Sequence, residues 1–255
     1  MARFNGGGLA AFLAGVLLAA TATGLRAESA SAAAAAAVAD PARPAADMAL
    51  DSARHPGEIL AFARLRPGQT VVDFFPGGGY FTRLFSTVVG PKGTVYAFTP
   101  AELGAMMKKP LPANGSQPDA ARPNVVALVA PVADFSTPKP VNLVFTAQNY
   151  HDLHDPFMGP ADLARFNGAV FKSLKRGGYY LVLDHAAPDG SGLSATNTTH
   201  RIDAAVVKAE ITAAGFRFVG ESKVLRNPAD DRTKLVFDPS IRHHTDQFVY
   251  LFRKP

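Results

Sequence analysis

The amino-acid sequence predicts an α/β fold, a doubly wound sheet of seven mostly parallel strands with a terminal antiparallel hairpin. Apolar strand-like runs alternate with amphipathic helical segments, which is the pattern of a parallel sheet covered on both faces. One of these runs, residues 70–75, breaks into three consecutive glycines and reopens as a helix at residue 80. The last two runs are joined by a loop alone, so they pair antiparallel, because a parallel return needs a crossover.

Proline and glycine turns separate the predicted elements. A short apolar helix, 59–65, opens at His-Pro-Gly-Glu and ends at Arg-Pro-Gly. A Gly-Pro-Lys-Gly turn closes the helix at 80–89, and Lys-Arg-Gly-Gly closes the helix at 161–174. The elements after the first helix are strand 70–75, helix 80–89, strand 94–98, helix 101–108, strands 124–129 and 141–146, helix 161–174, strand 179–183, helix 200–214, and strands 216–225 and 247–252.

The helix at 200–214 is predicted from the spacing of its apolar side chains, and Gly215 caps it. These side chains recur near the three-to-four spacing of a core-facing stripe: Ile202, Ala205, Val206, Ala209 and Ile211. Two long loops remain between the elements, the proline-rich segment 110–123 and the polar segment 148–160.

Residues 1–27 are predicted to be a signal peptide or an N-terminal anchor. Arg3 gives a positive start, and the apolar run 9–22 is short for a membrane span. The alanine- and proline-rich stretch 28–46 shows no amphipathic face and is predicted to be a linker. Residues 47–255 then form one domain, periplasmic or exported, with no membrane span expected after cleavage. An uncleaved anchor is the alternative.

Composition removes several function classes. The chain has no cysteine, which excludes a thiolate nucleophile and a cysteine-ligated metal. Its formal charge is +5 over 255 residues without any Lys/Arg block, so no nucleic-acid partner is expected. Hydrolase motifs such as a nucleophile elbow or a helical His-Glu-x-x-His have no counterpart in the sequence.

Candidate site residues are selected by the rule that ligands bind at the carboxyl ends of strands in an open α/β sheet. Bare backbone at Gly77, Gly78 and Gly79, set at a helix start, lets a ligand approach main-chain N–H groups. A dinucleotide-binding spacing is not met, because Thr82 stands where its last glycine belongs. A glycine-rich turn without a ligand is the alternative. The rule selects residues 73–79, 98–102, 130–135, 148–152 and 184–185.

The first of these segments resembles motif I of class I S-adenosylmethionine (SAM)-dependent methyltransferases, acidic-x-G-x-G-x-G. Asp73 stands at the acidic position, Gly77 and Gly79 at the second and third glycines, and Phe75 at the first. The string Phe-Phe-Pro-Gly-Gly-Gly-Tyr-Phe-Thr, with Gln-Asn-Tyr-His-Asp and Asp-His later on, is similar to a subgroup of predicted bacterial methyltransferases with a Pro-Gly-Gly-Gly-Tyr loop and an export signal. Over about residues 47–255 the resemblance implies a Rossmann-like methyltransferase fold and SAM as cofactor.

The resemblance also implies contacts beyond the glycine turn. Phe75 and Tyr80 are expected at the cofactor mouth. The family's acidic ribose contact corresponds to Thr99, which offers one hydroxyl where a carboxylate accepts two hydrogen bonds; Glu102 is a second candidate. The acidic residue near adenine corresponds to Asp134. Asn149 and Tyr150 fit contacts to the substrate or to the methionine moiety, although Tyr150 is equally compatible with core packing.

Two histidines follow adjacent strands and are candidate general bases. Methyl transfer from a sulfonium is a direct displacement, so the protein mainly positions donor and acceptor. An oxygen or nitrogen acceptor often needs a base for its proton. His151 with Asp152, and His185 with Asp184, follow strands about 5 Å apart. We expect their imidazoles to flank one small-molecule acceptor; two purely structural histidines are the alternative.

Two other functions stay open. A non-catalytic ligand-binding protein with a degenerate methyltransferase fold would suit Phe75, Thr99 and the export signal, because SAM is made in the cytoplasm. A metalloenzyme would use His151, His154 and Asp155, with His185 or His200 as a third imidazole, a ligand set that suits zinc. The two histidines at 151 and 154 lie in a loop that fixes no common face, so no metal ligand is predicted.

Overall fold

The computed structural model describes residues 30–108, 122–159 and 161–255. Residues 30–38 form helix α1. The other helices are α2 (Ala45–Met48), α3 (Asp51–Arg54), α4 (Pro56–Ala63), α5 (Tyr80–Val89), α6 (Glu102–Met106), α7 (Leu163–Ser173), α8 (Thr196–Thr199) and α9 (Ala204–Ala213). The strands are β1 (Thr70–Phe74), β2 (Thr94–Pro100), β3 (Val125–Ala130), β4 (Val141–Ala147), β5 (Leu174–His185), β6 (Arg217–Ser222) and β7 (Gln247–Arg253). Three short 3-10 helices are Val132–Asp134, His151–His154 and Pro156–Met158.

The seven strands form one sheet in the order β3-β2-β1-β4-β5-β7-β6. Strands β1 to β5 pair in parallel, whereas β7 lies antiparallel between β5 and β6. The predicted fold class, with its mostly parallel sheet and terminal antiparallel hairpin, is confirmed. The strand order reverses between β1 and β4, which is where a crevice opens at the carboxyl ends of the strands.

Alternate side chains of the strands build two separate cores, one on each face of the sheet. Val71 and Phe145 pack with α4 and α5 on one face. Val72 and Val144 pack with α7 and α9 on the other. Because both faces are covered, the central strands β1 and β4 are mainly apolar.

Part of the stretch that we expected to be a linker is helical and packed. In α1, Ala34 and Ala37 are 2% and 0% exposed and belong to the same core as α4 and α5. Alanine has the highest helix propensity, and its small side chain lets a helix approach its neighbours closely. The linker interpretation of 28–46 is therefore wrong for residues 30–38.

The predicted signal peptide or anchor at residues 1–27 lies outside the described residues, as does most of the loop predicted at 110–123. Within the ranges that the structure does describe, none of the helices combines the length and the apolar character needed to cross a bilayer.

Buried ion pairs join the N-terminal helices to the turn after β1. The Arg83 guanidinium donates two hydrogen bonds to Asp47 in α2, at 2.7 and 2.8 Å, and a third to the Gly78 carbonyl at 2.9 Å. Arg43 donates two hydrogen bonds to Asp51 at the start of α3, at 2.7 and 2.5 Å. The first set of contacts ties α2 to the glycine turn, and the second ties α3 to the segment that precedes α2.

The segment before α9 is extended, although the sequence predicted a helix from residue 200. Ile202 forms a parallel bridge with Ala186, and its N–H donates to the His185 carbonyl at 3.0 Å. The Asp203 carboxylate then caps α9 by accepting from the Ala205 N–H at 2.9 Å. The predicted stripe is partly wrong as well, because Val207 is buried while Ala205 is exposed.

Arg201 holds this extended segment in place from inside the protein. Its side chain is 0% exposed and donates to both oxygens of Asp230, at 2.8 and 3.2 Å. It also donates to the carbonyls of Ala186 and Lys234, at 3.1 and 2.9 Å. One guanidinium thus connects the end of β5 with the long loop between β6 and β7.

We expect Arg201→Met to lower the free energy of unfolding by about 3–5 kcal/mol, because it leaves Asp230 as an uncompensated buried charge. Urea unfolding measures the change. The matched control is Arg176→Met at an exposed arginine, which should stay within about 0.5 kcal/mol of the wild type. Equal losses in the two variants would contradict the role given to Arg201.

Candidate functional site

A cavity of about 560 Å³ opens at the carboxyl ends of β1, β4 and β5. Its walls are the turn 75–78, helices α2 and α3, the turn after β4, and the loop between β6 and β7. Small-molecule sites typically measure roughly 300–1,000 Å³. The cavity is therefore large enough for a cofactor-sized ligand, and it lies at the position where the strand order reverses.

The glycine turn presents bare backbone to this cavity. Gly77 adopts the left-handed φ of 55°, and a Cβ built at either Gly77 or Gly78 meets no atom within 4 Å. Phe75 is also left-handed, with φ 60°, and it lines the cavity wall. Gly79 is buried and caps α5 with φ 80°. The open surface of the turn is thus residues 77 and 78.

Asp73 is a buried carboxyl group at the base of the cavity. It is 3% exposed and accepts a hydrogen bond of 2.5 Å from the Thr82 hydroxyl. Burial raises the pKa of Asp73 to about 7, against the opposing effects of Thr82 and of the positive charge on Arg54. The carboxylate charge is therefore only partly compensated by the protein.

Arg54, at the end of α3, is a cavity-lining cation that sequence reasoning missed. Its guanidinium carbon lies 4.4 Å from the centre of the Tyr80 ring, while the Tyr80 hydroxyl donates to Asp51 at 2.6 Å. Within the described residues, no side-chain or backbone acceptor makes a hydrogen bond with this guanidinium. Its positive charge is available to an anion in the cavity.

Asp184, at the end of β5, organises the opposite wall. Its side chain is completely buried, and its two oxygens accept from His151, one from the backbone N–H and one from Nδ1, both at 2.8 Å. The His185 N–H donates to it as well, at 2.7 Å. We predicted from the sequence that Asp184 would act with the imidazole of its neighbour His185. In the structure its hydrogen bond to an imidazole is made with His151, which follows the adjacent strand β4.

Side chains of three residues meet beside the hydrogen-bonded pair of Asp184 and His151. They are His151 itself, Asp152 and His200. The Nε2 atom of His151 lies 3.2 Å from Nδ1 of His200 and 3.3 Å from Oδ1 of Asp152. Burial disfavours the charged imidazole, but the carboxylates of Asp184 and Asp152 together raise the pKa of His151 to about 10. The predicted proximity of His151 and Asp152 is thus present, and His200 joins them from 49 residues away.

His185 lines the same cavity but differs from His151 in its protonation state. Its ring centre lies 6.3 Å from that of His151, and its Nδ1 lies 2.7 Å from the Thr245 hydroxyl. Burial lowers the pKa of His185 to about 3 despite the nearby Asp184 carboxylate. The two candidate bases therefore share one cavity, as the strand order predicted, but only His185 is neutral.

The remaining candidate residues divide between the cavity and other places. Asn149 lines the cavity, and its amide donates to the carbonyls of Phe75 and Ala147, at 3.1 and 2.6 Å. Thr99 is buried and Asp134 is exposed beside Arg165, and neither borders the cavity described here. Three further candidates do not line the cavity either. The Glu102 carboxylate accepts a hydrogen bond from the Val132 N–H. The Tyr150 hydroxyl donates to Glu210, and His154 lies 3.3 Å from the same carboxylate.

Comparison with known proteins identifies the fold. A scan with protein-family models finds no match, and a search of curated proteins finds no relative. Among solved structures, the chain is similar to a SAM-dependent methyltransferase from Aquifex aeolicus, with 21% identity over 84% of this chain and 99% of that one and a TM-score of 0.53. A methyltransferase from Mesorhizobium loti gives 15% identity, coverages of 80% and 99% and a TM-score of 0.54.

A third similar structure is the [4+2]-cyclase SpnF, with 15% identity, coverages of 83% and 82% and a TM-score of 0.53. At these identities the likenesses show the fold alone. The chain therefore has the fold of class I SAM-dependent methyltransferases, and its reaction has to be argued from its own site.

Proposed function

We propose that the protein is a SAM-dependent methyltransferase that acts on a small-molecule acceptor by direct displacement. The observation that carries the proposal is the open backbone at Gly77 and Gly78, which faces a cavity of about 560 Å³ at the reversal of the strand order. In this fold class that is the position at which nucleotide-like ligands bind.

Opposite charges beside the turn suit the amino-acid end of SAM. Arg54 offers an unpaired cation for the carboxylate, and charge-assisted hydrogen bonds of this type are strong. Asp73 holds a carboxyl group whose pKa is raised by burial to about 7, so a cation bound beside it would stabilise its ionised form. The α-ammonium group or the sulfonium of SAM supplies that cation. Thr99 and Asp134 are left out of this donor site because they do not border the cavity.

His185 is proposed as the general base. Its Nδ1 contacts Thr245, which leaves Nε2 for the cavity. As the methyl carbon leaves the sulfonium sulfur and bonds to an acceptor oxygen or nitrogen, the acceptor's proton passes to Nε2. An unchanged kcat in His185→Asn at saturating SAM and acceptor would rule this role out.

The donor site is tested by calorimetry with SAM on the full-length protein. We expect Gly78→Val to weaken SAM binding roughly ten-fold or more, about 1.4 kcal/mol, because its side chain occupies the space next to the open backbone. Gly78 has an ordinary backbone φ and free space around its Cβ position, so the fold should tolerate the change.

The matched control is Gly168→Val in α7, another glycine with an ordinary φ and free space at Cβ, away from the cavity. It should bind SAM as the wild type does. Absence of SAM binding to the wild-type protein, or equal affinity in both valine variants, would refute the donor site.

The role of Arg54 is tested by comparing two ligands, one with and one without a carboxylate, in the wild-type protein and in a variant that lacks the Arg54 cation. Arg54→Met should weaken SAM binding roughly ten-fold and leave the binding of 5′-methylthioadenosine, which lacks the amino-acid end, unchanged. Equal losses for the two ligands would show that Arg54 acts on the shape of the cavity and not on the carboxylate.

A non-catalytic binding protein is the second candidate function. The observation in its favour is that neither residue at the expected ribose and adenine positions, Thr99 and Asp134, borders the cavity. This candidate is supported if the wild-type protein binds neither SAM nor its demethylated product in the calorimetric titrations above.

We further propose, from the sequence alone, that residues 1–27 direct the chain to the periplasm. A fusion of residues 1–46 to a reporter enzyme that is active only outside the cytoplasm should be active. A fusion that starts at residue 28 should not be. An inactive reporter in the first fusion would contradict export.

A further inference from the structure

We propose that His151, Asp152 and His200 form a divalent metal-ion site on the wall of the cavity, and that zinc is the ion this ligand set suits best. Two imidazole nitrogens and one carboxylate oxygen form a common three-residue ligand set of zinc sites that keep an open position. All three residues line the cavity. They come together from two segments, the turn after β4 and the residue that precedes the buried Arg201.

The separations of the three candidate ligand atoms fit one ion. Nε2 of His151 lies 3.2 Å from Nδ1 of His200 and 3.3 Å from Oδ1 of Asp152, and the third separation, from His200 to Asp152, is 3.8 Å. The point equidistant from these three atoms is about 2.0 Å from each of them. Zinc–nitrogen and zinc–oxygen bonds measure roughly 2.0–2.2 Å.

Asp184 prepares His151 as a ligand. Its oxygen lies 2.8 Å from Nδ1 of His151, so Nδ1 keeps its proton, and an ion that binds at Nε2 takes the place of the proton there. A carboxylate behind a metal-binding histidine is a recurrent arrangement that fixes the ring and raises its basicity. Here the carboxylate is also held by the backbone N–H of the same histidine, at 2.8 Å.

His200 is presented by a backbone that is fixed on its carboxyl side. It adopts a left-handed φ of 54°, a conformation that is unfavourable for residues other than glycine and is maintained only where the surroundings enforce it. Arg201, fully buried against Asp230, and Ile202, paired with the end of β5, supply that enforcement. In this conformation Nδ1 of His200 lies 3.2 Å from Nε2 of His151.

The local charge also favours a cation. Asp152 and Asp184 place two carboxylates around His151 in a buried setting, which a divalent ion would balance. Because the three protein ligands leave at least one coordination position open, an oxygen or nitrogen atom of a small molecule in the cavity can complete it. If the proposed methyltransferase function holds, that molecule is the acceptor, and the ion would lower the pKa of a bound hydroxyl group.

Calorimetry with zinc chloride on the full-length, tag-free protein, after treatment with a chelator, tests the site. We expect one ion per chain in the wild type. His200→Gly removes a ligand while allowing the left-handed backbone, and Asp152→Asn removes the negative charge at nearly constant shape. Each should weaken zinc binding roughly ten-fold or more. The cobalt form should show the visible absorption of a low-coordinate ion, lost in both variants.

His244→Ala at an exposed histidine is the control, and it should bind zinc as the wild type does. Far-UV circular dichroism confirms that each variant is folded. Absence of one-to-one binding, or wild-type affinity in both ligand variants, overturns the site. Zinc binding that persists in Gly78→Val after SAM binding is lost supports the metal site independently of the donor site.

Discussion

The buried carboxylate of Asp184 is the interaction on which the architecture of the site depends. A desolvated carboxylate is destabilising unless its oxygens are paired and hydrogen-bonded. Asp184 achieves this with two donors of His151 and the N–H of His185. Burial opposes its charge, but the contacts with His151 keep the pKa of Asp184 below its ordinary value. The turn after β4 is thereby fixed to the end of β5.

The cavity has two chemically different walls, and the hydrogen-bonded pair of Asp184 and His151 supports one of them. The wall formed by the glycine turn, Arg54 and Asp73 combines open backbone with one charge of each sign, which matches a ligand that carries both an ammonium and a carboxylate group. The wall formed by the histidines is dense in imidazoles and carboxylates. Both walls line one cavity, so a donor on the first wall and an acceptor on the second would share it, as a direct transfer requires.

The sequence was sufficient for the parts of the fold that are set by local pattern. Helix α5 begins at Tyr80 and ends at Val89 as predicted, because the glycine turn and the Gly-Pro turn delimit it. The neighbouring strand ends carrying His151 and His185 follow from strand order. Helix α1 was missed because an alanine-rich stretch has no amphipathic pattern; its burial depends on tertiary packing.

Contacts between distant segments account for the rest of the site, and local pattern carries no signal for them. The carboxylate partner of His151 was assigned to His185 because proximity in sequence was the available guide, whereas the hydrogen bond spans 33 residues. Arg54 lies in α3, whose position depends on contacts of Asp51 with Arg43 and with the Tyr80 hydroxyl, and neither contact is visible in the local sequence pattern. The pair of Arg201 and Asp230, which places His200, spans 29 residues.

The separations of the three converging ligand atoms are those expected of the proposed metal site. Charge-assisted hydrogen bonds to carboxylates measure about 2.7–2.9 Å, and the clamp between His151 and Asp184 has that length, 2.8 Å. The separations among His151, Asp152 and His200 are all longer, 3.2, 3.3 and 3.8 Å. One proton can link only one pair of these atoms at a time, whereas one ion contacts all three. The short contact between Nδ1 of His151 and Asp184 therefore fits a carboxylate that supports a metal ligand. The longer separations from Nε2 of His151 to His200 and Asp152 fit atoms that coordinate one ion.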